Sequence, residues 1–280
     1  MIGSLSDFSE ALILDSVFGR TASYSYPGTL YVALFTALPN DAGSSGTEVA
    51  TSGTGYSRKS IANSSANFDV AADGVKVNKN AITFATSTTA WGDIVGAGIY
   101  DASTGGNLLW YWEWTQPRSV GANDTMRVEA EELEFTFTAE DTVNADCVLS
   151  LELQHAWLDA FFGTPGAPAI PATLYAALMT TIPDPEDASG VELTGTSYAR
   201  VAIDNTSTNF SAYASGVKTN AAQIVWPTTG GSWSSVVGVA FYDASSSGNL
   251  IAKLKTASTL SWVAGDQPRI AAGTLPIYAN

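Results

Sequence analysis

The 280-residue chain contains one cysteine, Cys147, and one histidine, His155. A lone cysteine excludes an intramolecular disulfide, so packing alone must hold the fold. Two such residues cannot furnish the several Cys and His ligands of a zinc site. Ser-His-Asp and Cys-His chemistry needs a histidine as base. His155 falls beside Trp157 in an expected helix and reads as a packing residue or one at a domain join. No GxxxxGK[ST] loop and no strand–GxGxxG–helix unit is present. The GxG at Gly96 sits inside an expected strand.

Charge is also scarce. Only 14% of residues are charged, with 12 bases against 27 acids and a net charge of −15. That balance argues against a nucleic-acid surface, which needs clustered Lys and Arg, and against anionic membranes. No apolar run approaches the ~20 residues of a membrane-spanning helix. The opening MIGSLSDFSEALIL lacks the basic segment and apolar core of a signal peptide, so a soluble chain made in a reducing cytoplasm is expected. The charge is uneven: residues 1–147 hold 18 acids and 7 bases, residues 148–280 hold 9 and 5. The acidic run EAEELE, Glu129 to Glu134, reads as a solvated strand face, with a cation or basic-partner site as the alternative.

Small and hydroxyl-bearing residues fill the gap, and 45% of the chain is hydrophobic. This suits a β-protein with many turns and a neutral surface; the hydrophobic content excludes a disordered chain. The dominant feature is internal repetition. GAGIYDASTGGNLL, from Gly96, returns as GVAFYDASSSGNLI, from Gly238, with 8 of 14 positions identical. At the same offset of 142, Trp91 aligns with Trp233, Tyr100 with Tyr242, and Asp124 and Arg127 with Asp266 and Arg269. YSR at Tyr56 matches YAR at Tyr198. Further upstream the offset is 144, where TLYVALFT at Thr29 matches TLYAALMT at Thr173 and LDSVFG at Leu14 matches LDAFFG at Leu158. The period predicts two homologous domains, copy A over 1–138 and copy B over 147–280, joined by a polar linker at 139–146.

Each copy predicts one N-terminal helix followed by short strands. Asp7 is the expected N-cap with Glu10 three residues on. Ala11, Leu14 and Phe18 share a face, and Gly19 ends the helix. TLYVALFT is apolar on both faces, as a covered central strand is. GxGIYDASTGGNLL reads as a hairpin in which Gly96 and Gly98 admit a close neighbour and Asp101 caps the turn. LEFTFT, from Leu133, alternates as a final strand. The fold class expected is mainly β: two homologous β-sandwich-like domains, each with one N-terminal helix.

Candidate chemistry is sparse. Asp101 and Asp243 form a tempting glycosidase pair, but both occupy equivalent turn positions in separate copies. Asp184, Glu186 and Asp187 offer loop carboxylates without EF-hand spacing. No catalytic residue, cofactor or metal is therefore expected. WYWEW is more distinctive. On a strand Trp110, Trp112 and Trp114 share one face, whereas copy B has AKLKT there. The shared fold does not demand the stripe. It reads as a core face of copy A, as an interface patch for another subunit, or as a sugar-stacking platform.

The ordered series of motifs resembles the small domain of phage tail fibre proteins: LDSVFG, then a proline-flanked TLYVALFTA, GTEV, GYSR, an NxxxITF strand, WGDIVGAGIYDASTGGNLL and a closing Asp124–Arg127. Copy B keeps the order but departs in GSWSSVVGVAFYDASSSGNLI and at Met179. The resemblance implies a non-enzymatic virion structural protein, a tail fibre or appendage component or a capsid-surface decoration. It implies partners among other virion proteins and the chain itself, as a homo-oligomer on the virion exterior. A host-receptor or glycan-binding module is the alternative. Trp110, Trp112 and Trp114 are the interface candidates.

Overall fold

A computed structural model describes residues 2–20, 22, 24–137, 147–184 and 189–278. Copy A runs β1 (Ile2–Leu5), α1 (Asp7–Val17), β2 (Thr29–Ala37), β3 (Thr47–Glu48), β4 (Lys59–Ala62), β5 (Val75–Val77), β6 (Ile82–Thr83), β7 (Gly92–Tyr100), β8 (Leu108–Val120), β9 (Arg127–Val128) and β10 (Glu134–Thr136). Copy B repeats the order as β11 (Cys147–Leu149), α2 (Leu151–Phe161), β12 (Thr173–Thr181), β13 (Val191–Glu192), β14 (Val201–Asp204), β15 (Lys218–Thr219), β16 (Ile224–Val225), β17 (Trp233–Tyr242), β18 (Leu250–Trp262), β19 (Arg269–Ile270) and β20 (Pro276–Ile277). The protein is mainly β, with two β-sandwich-like halves that each carry one helix near their start.

In copy A the main sheet has the order β1-β8-β7-β2-β3, with β4 also on β2. The short pairs β5–β10 and β6–β9 supply further β structure. Copy B has the same main sheet, β11-β18-β17-β12-β13 with β14 on β12. Every pairing is antiparallel. β2 lies inside the sheet and is buried over Val32–Phe35, as its two-sided apolar sequence requires. The leading strands β1 and β11 were not expected. Each opens its copy as an edge strand, pairing with β8 or β18.

The first helix is capped one residue before the Asp7 expected from the sequence. The cap is Ser6, whose Oγ accepts the Ser9 N–H at 3.3 Å; Ser150 does the same for Leu153 at 3.3 Å. Asp7 lies in the first turn, where its carboxylate complements the helix dipole. Gly19 and Gly163 end the helices with φ of +101° and +115°, which favour glycine.

Packing divides the chain differently from the repeat. One compact unit contains 1–10, 24–137 and 155–168; the other contains 11–23, 138–154 and 169–280. Each helix thus begins in one unit and ends in the other. In the first unit Phe162 lies 4.0 Å from Phe135 and 5.9 Å from Phe68, centroid to centroid. Asn63 Nδ2 donates to Phe161 O at 2.9 Å, and its Oδ1 accepts the Gly163 N–H at 2.5 Å. In the second unit Phe18 lies 5.3 Å from Phe210 and 5.6 Å from Phe241. There Asn205 repeats the Asn63 clamp on Val17 O and the Gly19 N–H. The sequence period divides at 138 and 147, and the packing units cross that division. The linker at 139–146 lies outside the described residues.

Candidate functional site

The β7–β8 hairpin holds the motif that occurs twice. Glycine is required at Gly96 because a Cβ there would lie 2.0 Å from Trp112 O. Gly105 and Gly106 turn the chain with φ of +58° and +74°. Asp101 accepts the Asn107 backbone N–H and the Asn107 Nδ2 amide, both at 2.7 Å, and the Tyr24 hydroxyl at 3.1 Å. Arg58, from the YSR motif, braces the turn from below. Its Nη1 donates to Ala102 O at 3.0 Å and Gly105 O at 2.7 Å, while its other nitrogens pair with Glu48 at 2.8–3.2 Å. The guanidinium carbon sits 3.6 Å from the Tyr100 ring centroid.

Copy B rebuilds this arrangement with Arg200, Glu192, Asp243, Asn249 and Tyr242. Asp101 and Asp243 therefore each sit in their own turn, in separate units, with both carboxylate oxygens hydrogen-bonded. Sequence reasoning missed the Arg58–Glu48 brace. Its signal was that Glu48 and Arg58 return in copy B as Glu192 and Arg200, within GVEL and YAR, a recurrence whose purpose only a tertiary contact reveals.

The tryptophan stripe lies in the core of the first unit. Trp110 and Trp112 are fully buried and Trp114 is 6% exposed. Trp110 packs against Phe135, Phe137 and Phe162 at 5.6–6.4 Å. Trp112 stands edge-on to Phe135 at 4.9 Å and donates from Nε1 to Glu134 O at 2.6 Å. Trp114 donates to Glu132 Oε1 at 3.1 Å and lies under the Arg118 guanidinium at 4.5 Å; Arg118 in turn pairs with Glu132. As free surface for another subunit the stripe needs correction: the strand's alternation points these rings inward. Seven of the eight tryptophans are buried and Trp262 is half-buried, so an exposed sugar-stacking platform is not formed by them.

Among the described residues the equivalent face of copy B is less filled. At the positions of Trp112, Trp114, Arg118 and Glu132 stand Leu254, Thr256, Leu260 and Thr274. These line a cavity of about 560 Å³ in the second unit, together with Ile270, Leu275 and the exposed cations Lys255 and Arg269. Val128 is fully buried in copy A, whereas its counterpart Ile270 is only half-buried.

His155 Nε2 accepts the Gly74 N–H at 2.7 Å inside the first unit, a packing role. Glu186 and Asp187 lie outside the described residues, and no group of three or more potential metal ligands occurs among the described ones. No helix among the described residues is long and apolar enough to cross a membrane.

A duplicated β-sandwich with its turn carboxylates bound into structure is the class defined by these features. The family described as Podophage GP4 fiber I protein gp80 matches the chain twice, over residues 4–136 and 149–278. The chain belongs to this family of phage fibre proteins, in tandem duplication. Membership makes it a structural, appendage-type component of a phage particle that works in contact with other virion proteins. No curated protein matches the sequence.

Proposed function

We propose that the protein is a non-enzymatic component of the virion exterior, a tail fibre or appendage part, that acts through protein–protein interfaces with neighbouring virion proteins and with further copies of itself. The observation that carries this reading is the fate of the repeated motif. In both copies its Asp, Asn and Gly residues build a braced turn, leaving the doubled chemistry devoted to shape. Tandem copies give one chain two related surfaces, which suits bridging and avidity. The acidic balance, net −15, fits an exterior location better than one facing DNA.

Gold-conjugated antibody against the chain, applied to intact purified particles, tests the proposal. Label on the tail appendages is the expected outcome. Label on the head lattice moves the protein to a decoration role, and absence of the chain from the particle removes the structural reading.

A further inference from the structure

We infer that a small cavity beside β14 of copy B is a socket for an arginine side chain of a neighbouring protein. The choice of a protein as the source of that side chain rests on the proposed function; the chemistry of the socket does not.

The cavity measures about 210 Å³ and lies in the second unit, between β14 and the segment that enters β16. Val201, Ile203 and Ile224 give it an apolar lining, and Asp204, Asn209 and Gln223 bring polar groups. It is smaller than the roughly 300–1,000 Å³ of small-molecule sites and suits one long side chain.

Copy A shows what this place takes. There Asn80 donates from Nδ2 to Ala66 O at 2.8 Å and to Asn67 Oδ1 at 3.2 Å. Copy B keeps both acceptors, as Thr208 O and Asn209 Oδ1, but has Ala222 in place of the Asn80 donor. Asn209 Nδ2 donates to Asp204 O at 2.8 Å, as Asn67 does to Ala62 O at 2.9 Å, so the two amides are held in the same orientation. Neither Thr208 O nor Asn209 Oδ1 accepts a hydrogen bond among the described residues.

Charge changes at the same edge. Val201 stands at the position of Lys59 and Asp204 at that of Ala62, so a cation leaves and a carboxylate arrives. Asp204 is exposed, and its carboxylate enters no ion pair among the described residues. All 12 lysines and arginines of the chain are described, so none of them neutralises it. Three acceptors, one of them anionic, are complementary to a cation with several N–H donors. A guanidinium carries five in a fixed fork and pairs with a carboxylate through two of them, while its methylene stem can lie along Val201 and Ile224. An ammonium offers three donors from a single point.

The test is an amide NMR titration of the full chain with N-acetyl-arginine N-methylamide, with the citrulline analogue as its neutral isostere. Saturable shifts are expected at the Asn209 side-chain amide and at the Asp204, Ala222 and Gln223 backbone amides. The copy A counterparts at Asn67, Ala62, Asn80 and Ala81 stay unmoved, and the citrulline analogue moves neither set. Ala222→Asn, which returns copy A's amide, abolishes the shifts. Asp204→Asn, at an exposed position, weakens binding roughly two- to fivefold and keeps the test valid should the other variant fail to fold. Shifts that do not saturate, that spread over the acidic surface or that citrulline reproduces overturn the proposal. So does an affinity unchanged by Asp204→Asn or by a folded Ala222→Asn chain. The titration reads the socket alone: its failure leaves the virion reading standing, whereas absence of the chain from purified particles removes that reading whatever the titration gives.

Discussion

Lys76 Nζ lies 2.6 Å from Asp159 Oδ1, joining a strand of the first copy to the helix of the second inside one packed unit. Lys218 and Asp15 form the reciprocal pair at 2.7 Å in the other unit. Both ammonium groups are almost fully buried, and burial lowers both lysine pKa values against the opposing pull of the aspartates.

Removing one partner strands a buried charge. Asp159→Ala is expected to cost about 3 kcal/mol in urea unfolding followed by circular dichroism. The double change Lys76→Met with Asp159→Leu costs less than Asp159→Ala alone, because no uncompensated ammonium remains. A double variant as weak as the single one contradicts this account of the pair.

The exchanged helix ends predict the behaviour of a cut chain. With a protease site inserted in 139–146, the two fragments remain associated after cleavage and separate only in denaturant. Each unit needs aromatic and asparagine-clamped contacts from both copies. Fragments that part freely in native buffer contradict the exchange.

A second pair of positions compensates across the repeat. A Cβ on Gly98 would lie 2.9 Å from Phe35 Cε2 and 3.0 Å from Leu108 Cδ1. Copy B has Ala240 at the first position and Met179 at that of Phe35. Gly98→Ala alone is expected to destabilise by about 1–3 kcal/mol through overpacking. Combined with Phe35→Met it costs less than the sum of the single changes by at least ~0.5 kcal/mol, measured in a double-mutant cycle. Strict additivity contradicts the packing explanation.

Alkaline pH probes the buried phenols. Burial pushes Tyr24, Tyr26, Tyr56 and Tyr198 well above the ordinary phenol value, with nearby carboxylates reinforcing all but Tyr26. Burial and the hydrogen bond to Asp41 push Tyr111 up to about 12. Their folded values are raised, so their contribution to stability is full below about pH 10 and is lost as pH climbs through the folded values. The lowered lysines act in the opposite sense: stability gains from them as pH rises toward the ordinary lysine value. In an absorbance titration at about pH 11 these five tyrosines stay protonated in the native chain and ionise on unfolding. Full ionisation there with an unchanged circular dichroism spectrum contradicts their burial.

Much of this architecture was legible from local pattern. The GxGIYDASTGGNLL hairpin with Asp101 as its cap, the inner strand at Thr29 and the helix stop at Gly19 each follow from neighbours close in sequence. What could not be read depends on contacts far apart along the chain. Ser6 rather than Asp7 caps the helix because the preceding strand fixes where the backbone bends. The Asn63 clamp on Gly163 spans a hundred positions and leaves no periodic trace. The difference between WYWEW and AKLKT was visible, as was that between EAEELE and AAGTLP, but only the fold places both differences around one cavity.

Cryo-electron microscopy of the intact particle, at a resolution that places this chain and its neighbours, tests the central claim most directly. The account predicts the chain in an appendage on the outside of the virion, contacting other virion proteins and further copies of itself. Density confined to the interior, or no density for the chain at all, contradicts it.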